Sequence, residues 1–224
     1  MDELDKFFSV LSDYNNFSVI MHRNADVDCI SAAYALYYIL GNIKKNVKIV
    51  APDKPSVLAR TLSEKLDIPW TNKFVNNSFS ILVDTGRIEQ IDPIEVKNYG
   101  VIDHHTENGE FKRDAAFYIH DPHASSSCEL MFDIVRKLDC DIPRSVAIAL
   151  ICGIYTDTRG FRRGNHRTFS VLSELLSYLD MDMEDVVSYI TVDIPDSQKI
   201  AIIKGLQRSE LHRIGEFLVG ITHV

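Results

Sequence analysis

The stretch Gly100-Val101-Ile102-Asp103-His104-His105 decides the predicted fold, because a short apolar run passes directly into an acid and two imidazoles. Such a run is typical of a buried strand in a parallel sheet, and the polar residues are expected just beyond its end. The same order, an apolar run followed by ligand-type side chains, recurs at three other places: residues 17–21 before His22, Asp26 and Asp28; residues 80–83 before Asp84; and residues 149–155 before Asp157.

Strands and helices are predicted to alternate along the first part of the chain. Strands are predicted at residues 17–21, 47–50, 79–83, 100–102 and 116–119. Helices are predicted at residues 4–14, 29–40, 57–66, 127–138, 144–155, 167–179, 183–190 and 197–213. This pattern predicts an α/β fold with a mostly parallel five-stranded sheet that has helices on both faces, followed by a helical segment and the start of a second domain. Ligands bind beyond the carboxyl ends of such strands, so we expect the polar motifs to share one cleft.

The chain is predicted to divide near residue 190. Its 224 residues, 46% of them hydrophobic, are enough for one full core and part of a second unit. Residues 1–190 are predicted to form one domain, which contains all of these motifs. Residues 191–224 are predicted to be a linker helix and the beginning of a second domain, with a strand at 215–222, and most of that domain is expected to be absent from this chain.

Composition limits the possible functions. The net charge of −8 argues against a broad cationic surface for nucleic acid, although it leaves room for a small basic groove. Cys29, Cys128, Cys140 and Cys152 show no C-x-x-C spacing, which favours reduced thiols in a cytoplasmic protein over a zinc site or disulfides. The acidic start of the chain does not resemble a signal peptide, and no apolar run approaches the ~20 residues that would cross a bilayer. We therefore expect no association with a membrane.

The acids and histidines have both ordinary and functional interpretations. Asp28 can cap the helix predicted from residue 29, and Asp84, which precedes Thr85 and Gly86, can form a turn. Asp157 differs, because the helix macrodipole opposes a carboxylate at a helix C-terminus and a cation would favour it. Together these side chains suit Mn²⁺ or Mg²⁺, and two ions balance clustered carboxylates better than one. Two ions ~3.5–4 Å apart activate water and bind a phosphoryl oxygen, which predicts hydrolysis of phosphoesters or phosphoanhydrides.

Four ordered motifs resemble those of the DHH phosphoesterase superfamily. They are His22-x-Asn24-x-Asp26-x-Asp28, Asp84, Asp103-His104-His105 and Thr156-Asp157-Thr158. The run Ala124-Ser125-Ser126-Ser127-x-Glu129 resembles the family's small-residue stretch before a helix. The resemblance covers roughly residues 15–190, the size of one domain. The superfamily includes RecJ-like exonucleases, nano-RNases, cyclic-dinucleotide phosphodiesterases, exopolyphosphatases and family II inorganic pyrophosphatases.

The resemblance implies a role for each motif residue. The implied metal ligands are His22 and Asp26 for one ion, Asp28, His104 and Asp157 for the other, and Asp84 as a bridge between them. The implied catalytic residues are His105, which would contact the scissile phosphate, and Asp103, which would orient the histidines from behind. Asn24 would bind a phosphate oxygen or lie near the nucleophile.

A basic cluster follows Asp157 and consists of Arg159, Arg162, Arg163, His166 and Arg167. One interpretation is a phosphate clamp, for which the bidentate geometry of arginine is well suited. The alternative is a solvated basic loop. We predict Arg159, Arg162 and Arg163, together with Asn24, as substrate-binding residues. His120 and His123 are predicted to belong to a turn.

The resemblance and the ligand chemistry together imply a phosphoesterase that requires two Mn²⁺ or Mg²⁺ ions. Its expected substrates are phosphodiester or phosphomonoester bonds of nucleotides or short oligonucleotides. Polyphosphate or pyrophosphate is the alternative substrate class, and a non-catalytic domain that binds nucleotide is a second alternative. A homodimer is one open possibility for the assembly.

Overall fold

The computed structural model describes residues 2–74, 77–106 and 110–222. The chain forms two compact units, the first ending at Thr191 and the second beginning at Val192. In the part of the chain that is described, no helix combines the length and the apolar character needed to cross a bilayer.

A parallel sheet forms the centre of the first unit. Its strands are β1 (Asn16–Ile20), β2 (Asn46–Val50), β3 (Trp70–Thr71), β4 (Phe79–Val83), β5 (Tyr99–Asp103) and β6 (Tyr118–His120). They lie in the order β3-β2-β1-β4-β5-β6, and every neighbouring pair is parallel, which confirms the α/β prediction. In this register Ile20 lies opposite Leu82, and Val83 lies opposite Ile102. The carboxyl ends of β1, β4 and β5 therefore meet at one edge of the sheet.

The sheet has six strands rather than the predicted five. The additional strand is β3, in which Trp70 and Thr71 pair with Ile49 and Val50. A strand of two residues is too short to show the alternation or the apolar run that marks a strand in a sequence. It was therefore not predicted.

The helices of the first unit are α1 (Glu3–Asp13), α2 (Val27–Asn42), α3 (Val57–Leu66), α4 (Ser127–Lys137), α5 (Arg144–Asp157), α6 (His166–Ser177) and α7 (Met183–Ser188). Every helix predicted in this unit is present, with its ends within two residues of those expected. The start of α2 differs in one respect that matters for function. Asp26 caps this helix by accepting a hydrogen bond from Cys29 N, and Asp28 lies inside its first turn.

The α-helices build the larger core on one face of the sheet. Helix α2 packs against the sheet on one side and against α5 on the other. Side chains around α2 and α5, such as Ile30, Leu36, Ile148 and Ile151, are fully or almost fully buried. Neighbouring elements cover both helices on every side, and for this reason neither helix has a polar face.

The opposite face carries a smaller core. Ile20, Leu82 and Val101 pack there with Ile91 and Phe111, which come from the connections that follow β4 and β5. The strand order reverses between β1 and β4, and right-handed crossovers on either side of that point place their connections on opposite faces. The helical cover predicted for this second face consists, in the described residues, of one short 3-10 helix, Ile88–Gln90.

The second unit contains helix α8 (Asp196–Gln207) and an antiparallel hairpin of β7 (Glu210–Ile214) and β8 (Phe217–Ile221). Strand β8 confirms the strand predicted at 215–222. The predicted helix at 197–213 is wrong beyond Gln207, because the following residues form β7. The overlooked signal is Gly215-Glu216, a two-residue turn in which Gly215 has a φ of +63°, a conformation that favours glycine.

Candidate metal centre

The predicted ligands meet where the strand order of the sheet reverses. His22 follows β1, Asp84 follows β4, and His104 follows β5, so three neighbouring strands each deliver a polar side chain to the same edge. Ligands of open α/β sheets bind in the crevice at this kind of reversal. The fold therefore brings together residues that lie far apart in the chain.

Asp84 lies at the centre of the group. Its φ of +57° is in the left-handed region, and its backbone N–H donates to Ile102 O at 2.9 Å. Its Oδ2 is 3.6 Å from His22 Nε2, and its Oδ1 is 3.5 Å from His104 Nε2. Burial by itself would raise the pKa of Asp84, but His22, His104 and His105 outweigh it and hold that pKa below its usual value. The carboxylate is thus kept ionised between two imidazoles.

His104 is the clearest indication that a cation fits here. Its Nε2 lies 3.2 Å from Asp157 Oδ2 and 3.9 Å from Asp28 Oδ2, while its Nδ1 faces Ala124 O at 3.3 Å. Within the described residues, this buried Nε2 has no hydrogen-bond partner of acceptable geometry. Burial lowers the pKa of His104, but Asp157, Asp28 and Asp84 raise it to about 10. A buried nitrogen that faces three carboxylates is the donor arrangement that a divalent ion requires.

Asp28 is fully buried and tied to the start of helix α4. Its Oδ2 accepts from Ser127 N at 2.6 Å, and its Oδ1 accepts from Cys128 N at 3.0 Å. The sequence suggested that Asp28 could cap its own helix, but Asp26 does that, and Asp28 binds the N-terminus of a helix one hundred residues away. Burial, Asp84 and Asp157 together raise the pKa of Asp28 well above its usual value. A nearby cation would relieve this repulsion.

His22 lies on the other side of Asp84. Its Nδ1 is 2.8 Å from Arg23 O, and its Nε2 is 3.9 Å from Asp26 Oδ1 as well as 3.6 Å from Asp84. Burial lowers the pKa of His22, but Cys29 and Asp84 raise it to about 12. The side chain of Asp26 is 51% exposed, which makes it the most open of the predicted ligands that lie around His22.

Asp103 and His105 form a pair behind and beside the centre. Asp103 is buried, and its Oδ1 lies 2.8 Å from His105 Nδ1. The imidazole of His105 is 51% exposed and lies 3.7 Å from Asp84 Oδ1. A hydrogen bond to Asp103 is the main cause of the raised pKa of His105. In the described structure Asp103 can orient the ring of His105, whereas His104 is oriented by Ala124 O.

The donor atoms form three sets, and within each set all the atoms lie within 4.8 Å of one another. They are His22, Cys29 and Asp84; Asp84, His104 and His105; and Asp28, His104 and Asp157. Five of the six predicted metal ligands belong to these sets, and Asp26 does not. Cys29 also belongs to one set, although the sequence predicts only a buried thiol, and its Sγ donates to Val83 O at 3.6 Å. Its position directly after Asp28 is the one signal that could have identified it.

Two further contacts support the centre and were not predicted. Ser127 donates its hydroxyl to Asp84 Oδ1 at 2.8 Å, so the residue does more than cap a helix. Gly153 lies so close to the site that an added Cβ would be 2.4 Å from Cys128 Sγ and 3.0 Å from Asp28 Oδ1. Only a residue without a side chain allows α5 to approach Asp28 this closely.

The basic cluster after Asp157 divides into two groups. Arg167 is bound by carboxylates of Asp121 and Asp133 and lies 3.6 Å from the buried Glu129, so its role is structural. Arg159, Arg162 and Arg163 are exposed, and no ion pair of theirs occurs within the described residues. These three remain available to a ligand.

Asn24, His120 and His123 were also singled out in the sequence, and each has a different environment. Asn24 is exposed at a φ of +49°, and its N–H donates to Asp53 Oδ1 at 2.6 Å. His123 belongs to the predicted turn, since its N–H donates to Asp121 Oδ1. The prediction of a turn is wrong for His120, which is the last residue of β6 and pairs with Asp103, and its Nε2 lies 2.7 Å from His105 O.

A cleft of about 550 Å³ opens beside His105. Arg23 and Arg87 line it together with Gly86, Gln90 and Thr106. Neither arginine was singled out in the sequence, because they are separated along the chain and only the ends of β1 and β4 bring them together. Glu89 lines the cleft as well, and Arg23 lies 3.3 Å from Asp53 Oδ2 and 3.7 Å from Asp92 Oδ2, so the two arginines are accompanied by carboxylates.

The fold and the site define a class of protein, an α/β domain whose strand reversal carries carboxylates and imidazoles arranged for divalent ions. Residues 16–154 match the DHH family, N-terminal domain, and the chain belongs to that family.

Related proteins support this assignment. The chain is 27% identical over 214 residues to the uncharacterized protein MJ0988 of Methanocaldococcus jannaschii, covering 92% of this chain and 64% of that protein. It is 27% identical over 187 residues to the cyclic-di-AMP phosphodiesterase GdpP of Bacillus subtilis, covering 74% of this chain and 28% of GdpP. The chain thus spans less than two thirds of either relative. An exopolyphosphatase-related protein from Bacteroides fragilis shares the fold, with a TM-score of 0.80, 22% identity, and coverage of 94% of this chain and 66% of that one.

Proposed function

We propose that this chain is a divalent-metal-dependent phosphoesterase that hydrolyses phosphodiester or phosphomonoester bonds of nucleotides or short oligonucleotides. The observation that carries the proposal is the position of Asp84. One of its oxygens faces His22 at 3.6 Å and the other faces His104 at 3.5 Å. A carboxylate whose two oxygens point to separate imidazoles is placed to bridge two ions.

Two Mn²⁺ or Mg²⁺ ions fit the donor chemistry of the centre. His22 and Asp26 would hold one ion, while Asp28, His104 and Asp157 would hold the other, with Asp84 shared. The oxygen and imidazole donors suit these ions. When bound, such a pair lowers the pKa of water and neutralises charge on a phosphoryl oxygen.

The protein's own side chains would orient the substrate. His105 is half-exposed at the mouth of the cleft, and Asp103 Oδ1 lies 2.8 Å from its Nδ1, a contact that would orient the ring towards a phosphate oxygen or a leaving group. Arg23 and Arg87 line the same cleft and would bind a second anionic group of the substrate. We further propose Asn24, Arg159, Arg162 and Arg163 as substrate contacts, because all four are exposed.

The choice of a nucleotide substrate is supported by the cyclic-di-AMP phosphodiesterase activity that the name of GdpP states. Because the match covers 28% of GdpP, any activity of the whole protein belongs to the same proposal. We propose that residues 1–190 are the catalytic domain and that residues 191–224 belong to a second domain. The division of the chain after Thr191 supports this. A cytoplasmic location and a homodimer remain predictions.

Hydrolysis of a substrate panel tests the proposal. Purified chain is incubated with Mn²⁺ or Mg²⁺ and a short oligoribonucleotide, a cyclic dinucleotide, a nucleoside bisphosphate, polyphosphate or pyrophosphate. We expect hydrolysis of at least one ester and complete loss of activity with EDTA. Activity that is unaffected by EDTA contradicts the two-metal mechanism. Hydrolysis restricted to anhydrides supports the polyphosphatase or pyrophosphatase alternative, and binding of nucleotide without hydrolysis supports a non-catalytic domain.

The role of His105 can be separated from metal binding. His105→Ala should lower kcat by about 10²-fold or more, the usual effect of removing a general acid or base, while Mn²⁺ affinity stays close to that of the unmodified chain. His123→Ala is the matched control, since His123 lies in a neighbouring exposed turn. Equal activity of the two variants would remove His105 from the mechanism.

A further inference from the structure

Gln90 connects the segments that follow β1 and β4. Its backbone O accepts a hydrogen bond from Arg23 N at 2.6 Å, just beyond the end of β1. Its side-chain Oε1 accepts from Thr85 Oγ1 at 2.8 Å and from Gly86 N at 3.4 Å, and these two residues directly follow Asp84. Gln90 is therefore held beside the metal centre through both its backbone and its side chain.

These hydrogen bonds fix which end of the Gln90 amide is available to a ligand. The backbone N–H of Gly86 can only donate, so the amide atom that faces it is the carbonyl oxygen. The same oxygen accepts from the hydroxyl of the buried Thr85, so both of its lone pairs are used. In the part of the chain that is described, Nε2 of Gln90 forms no hydrogen bond. The two N–H donors of this nitrogen are what the side chain can offer to a substrate.

Gln90 and His105 line the same cleft of about 550 Å³. Because the amide of Gln90 is bound to the residue after Asp84, it lies at the same end of β4 as the predicted bridge between the metal ions. The cleft therefore presents an imidazole from the end of β5 and an amide donor from the segment after β4. Hydrogen bonds to an ionised oxygen are among the stronger ones, and a neutral amide adds no positive charge that would repel the ions.

We propose that Gln90 is a substrate-binding residue whose Nε2 donates to a non-bridging oxygen of the phosphate held at the metal centre. The inference rests on the proposed phosphoesterase function and adds a residue to the substrate contacts of that site. The alternative is that Gln90 only braces the segments after β1 and β4.

Two substitutions at Gln90 separate the donor from the brace. In Gln90→Glu the carboxylate can still accept from Thr85 and Gly86, but it has no N–H and carries a negative charge. Gln90→Met is neutral and similar in length, and it neither accepts nor donates a conventional hydrogen bond. A donor role predicts that both variants bind a phosphate more weakly. A bracing role predicts weaker binding in Gln90→Met alone, and an effect of charge predicts weaker binding in Gln90→Glu alone.

Calorimetric titration provides the test. The full chain, saturated with Mn²⁺, is titrated with the methylenephosphonate analogue of AMP, in which a P–C bond replaces the P–O ester bond and prevents hydrolysis. We expect both Gln90 variants to bind this probe about tenfold more weakly or worse, the usual effect of losing a hydrogen bond to a charged group. Gln198→Glu is the control, because it adds the same charge at an exposed position of the second unit, and its affinity should match that of the unmodified chain.

The outcomes separate this inference from the proposed function. Unchanged affinity in either Gln90 variant overturns the donor role, even when the unmodified chain hydrolyses a nucleotide ester. If Gln90→Met does not fold, equal affinity of Gln90→Glu and the unmodified chain still overturns it. An unmodified chain that neither binds the probe nor hydrolyses an ester overturns both proposals. Weaker binding in both Gln90 variants, with Gln198→Glu unchanged, supports the donor role.

Discussion

The hydroxyl of Ser127 donates a 2.8 Å hydrogen bond to Asp84 Oδ1 although the two residues lie 43 positions apart. The backbone N–H of Ser127 donates to Asp28 Oδ2 as well. One residue at the start of α4 therefore positions two of the candidate metal ligands. The small residues of this stretch let the helix N-terminus come close to the carboxylates.

Ser127→Ala should weaken Mn²⁺ binding about 10–100-fold, because it removes a partner that orients a ligand. The stability of the metal-free protein should fall by only about 1 kcal/mol, the usual contribution of one hydrogen bond. Calorimetric titration and urea unfolding measure the two effects. Ser125→Ala is the control, since that hydroxyl contacts Thr168 rather than a carboxylate. Equal Mn²⁺ affinity in both variants would show that Ser127 does not position Asp84.

Asp84→Asn tests the bridging role without straining the backbone. Asp84 has a φ of +57°, a conformation that asparagine tolerates well, so the variant removes charge and keeps the local structure. We expect elemental analysis to find both ions lost and hydrolysis abolished. Asp67→Asn is matched to it, because Asp67 has a φ of +52° at the end of α3 and lies outside the centre. Two ions retained per chain in Asp84→Asn would exclude the bridge.

The stability of the metal-free protein should decrease as the pH rises. The neighbouring carboxylates raise the pKa of His104 from 6.5 to about 10 in the folded chain. The stabilisation by protonated His104 is therefore complete below pH 6.5 and is lost as the pH rises through about 10. Asp28 acts in the same direction, because its raised pKa means that the folded state disfavours its ionised form.

Urea unfolding of EDTA-treated protein between pH 6.5 and 10 measures this slope. His104→Gln should reduce the slope but not abolish it, because the raised pKa of His22 contributes in the same direction, and His212→Gln, in the second unit, should leave the slope unchanged. Metal binding requires neutral imidazoles, so Mn²⁺ affinity should rise with pH and binding should release protons. Calorimetry in two buffers of different ionisation enthalpy detects that release. A stability that increases over this pH range would contradict the charge assignments.

Gly153→Ala should disturb Asp28 from the side of α5. Its new Cβ would be 2.4 Å from Cys128 Sγ, so either the thiol or the helix has to move. We expect a loss of about 1–3 kcal/mol in stability, as for other overpacked cores, together with weaker metal binding. Gly41→Ala in α2 is the control, because its Cβ would meet no atom within 4 Å. That variant should gain up to about 1 kcal/mol from helix propensity.

Arg167 and Arg162 should show opposite effects. Arg167→Ala leaves the buried Glu129 without its cationic neighbour and should cost about 1–3 kcal/mol of stability. Arg162→Ala changes an exposed residue, so stability should stay within about 0.5 kcal/mol while KM for an anionic substrate increases. Thermal unfolding and steady-state kinetics distinguish the two. An unchanged KM in Arg162→Ala would remove Arg162 from the substrate contacts.

Much of the fold and of the candidate site could be predicted from local patterns. The apolar runs before His22, Asp84 and Asp103 identified strands β1, β4 and β5, since buried parallel strands are apolar on both faces. Parallel pairing then required their carboxyl ends to meet at one edge. The shorter elements were missed because their signals are weak. Strand β3 has two residues, and the hairpin after α8 depends on the turn at Gly215.

The amino-acid sequence by itself determined which donor types arrive at this edge of the sheet, because strand periodicity and parallel pairing depend on residues close together in the chain. Only the tertiary structure decided which atoms face one another. The Ser127 hydroxyl donates to Asp84, Cys128 N donates to Asp28, and Asp26 Oδ1 and Asp84 Oδ2 lie 3.9 and 3.6 Å from His22 Nε2. These contacts arise from the packing of α2, α4 and α5 on the sheet, and no local pattern encodes a contact between residues up to one hundred positions apart.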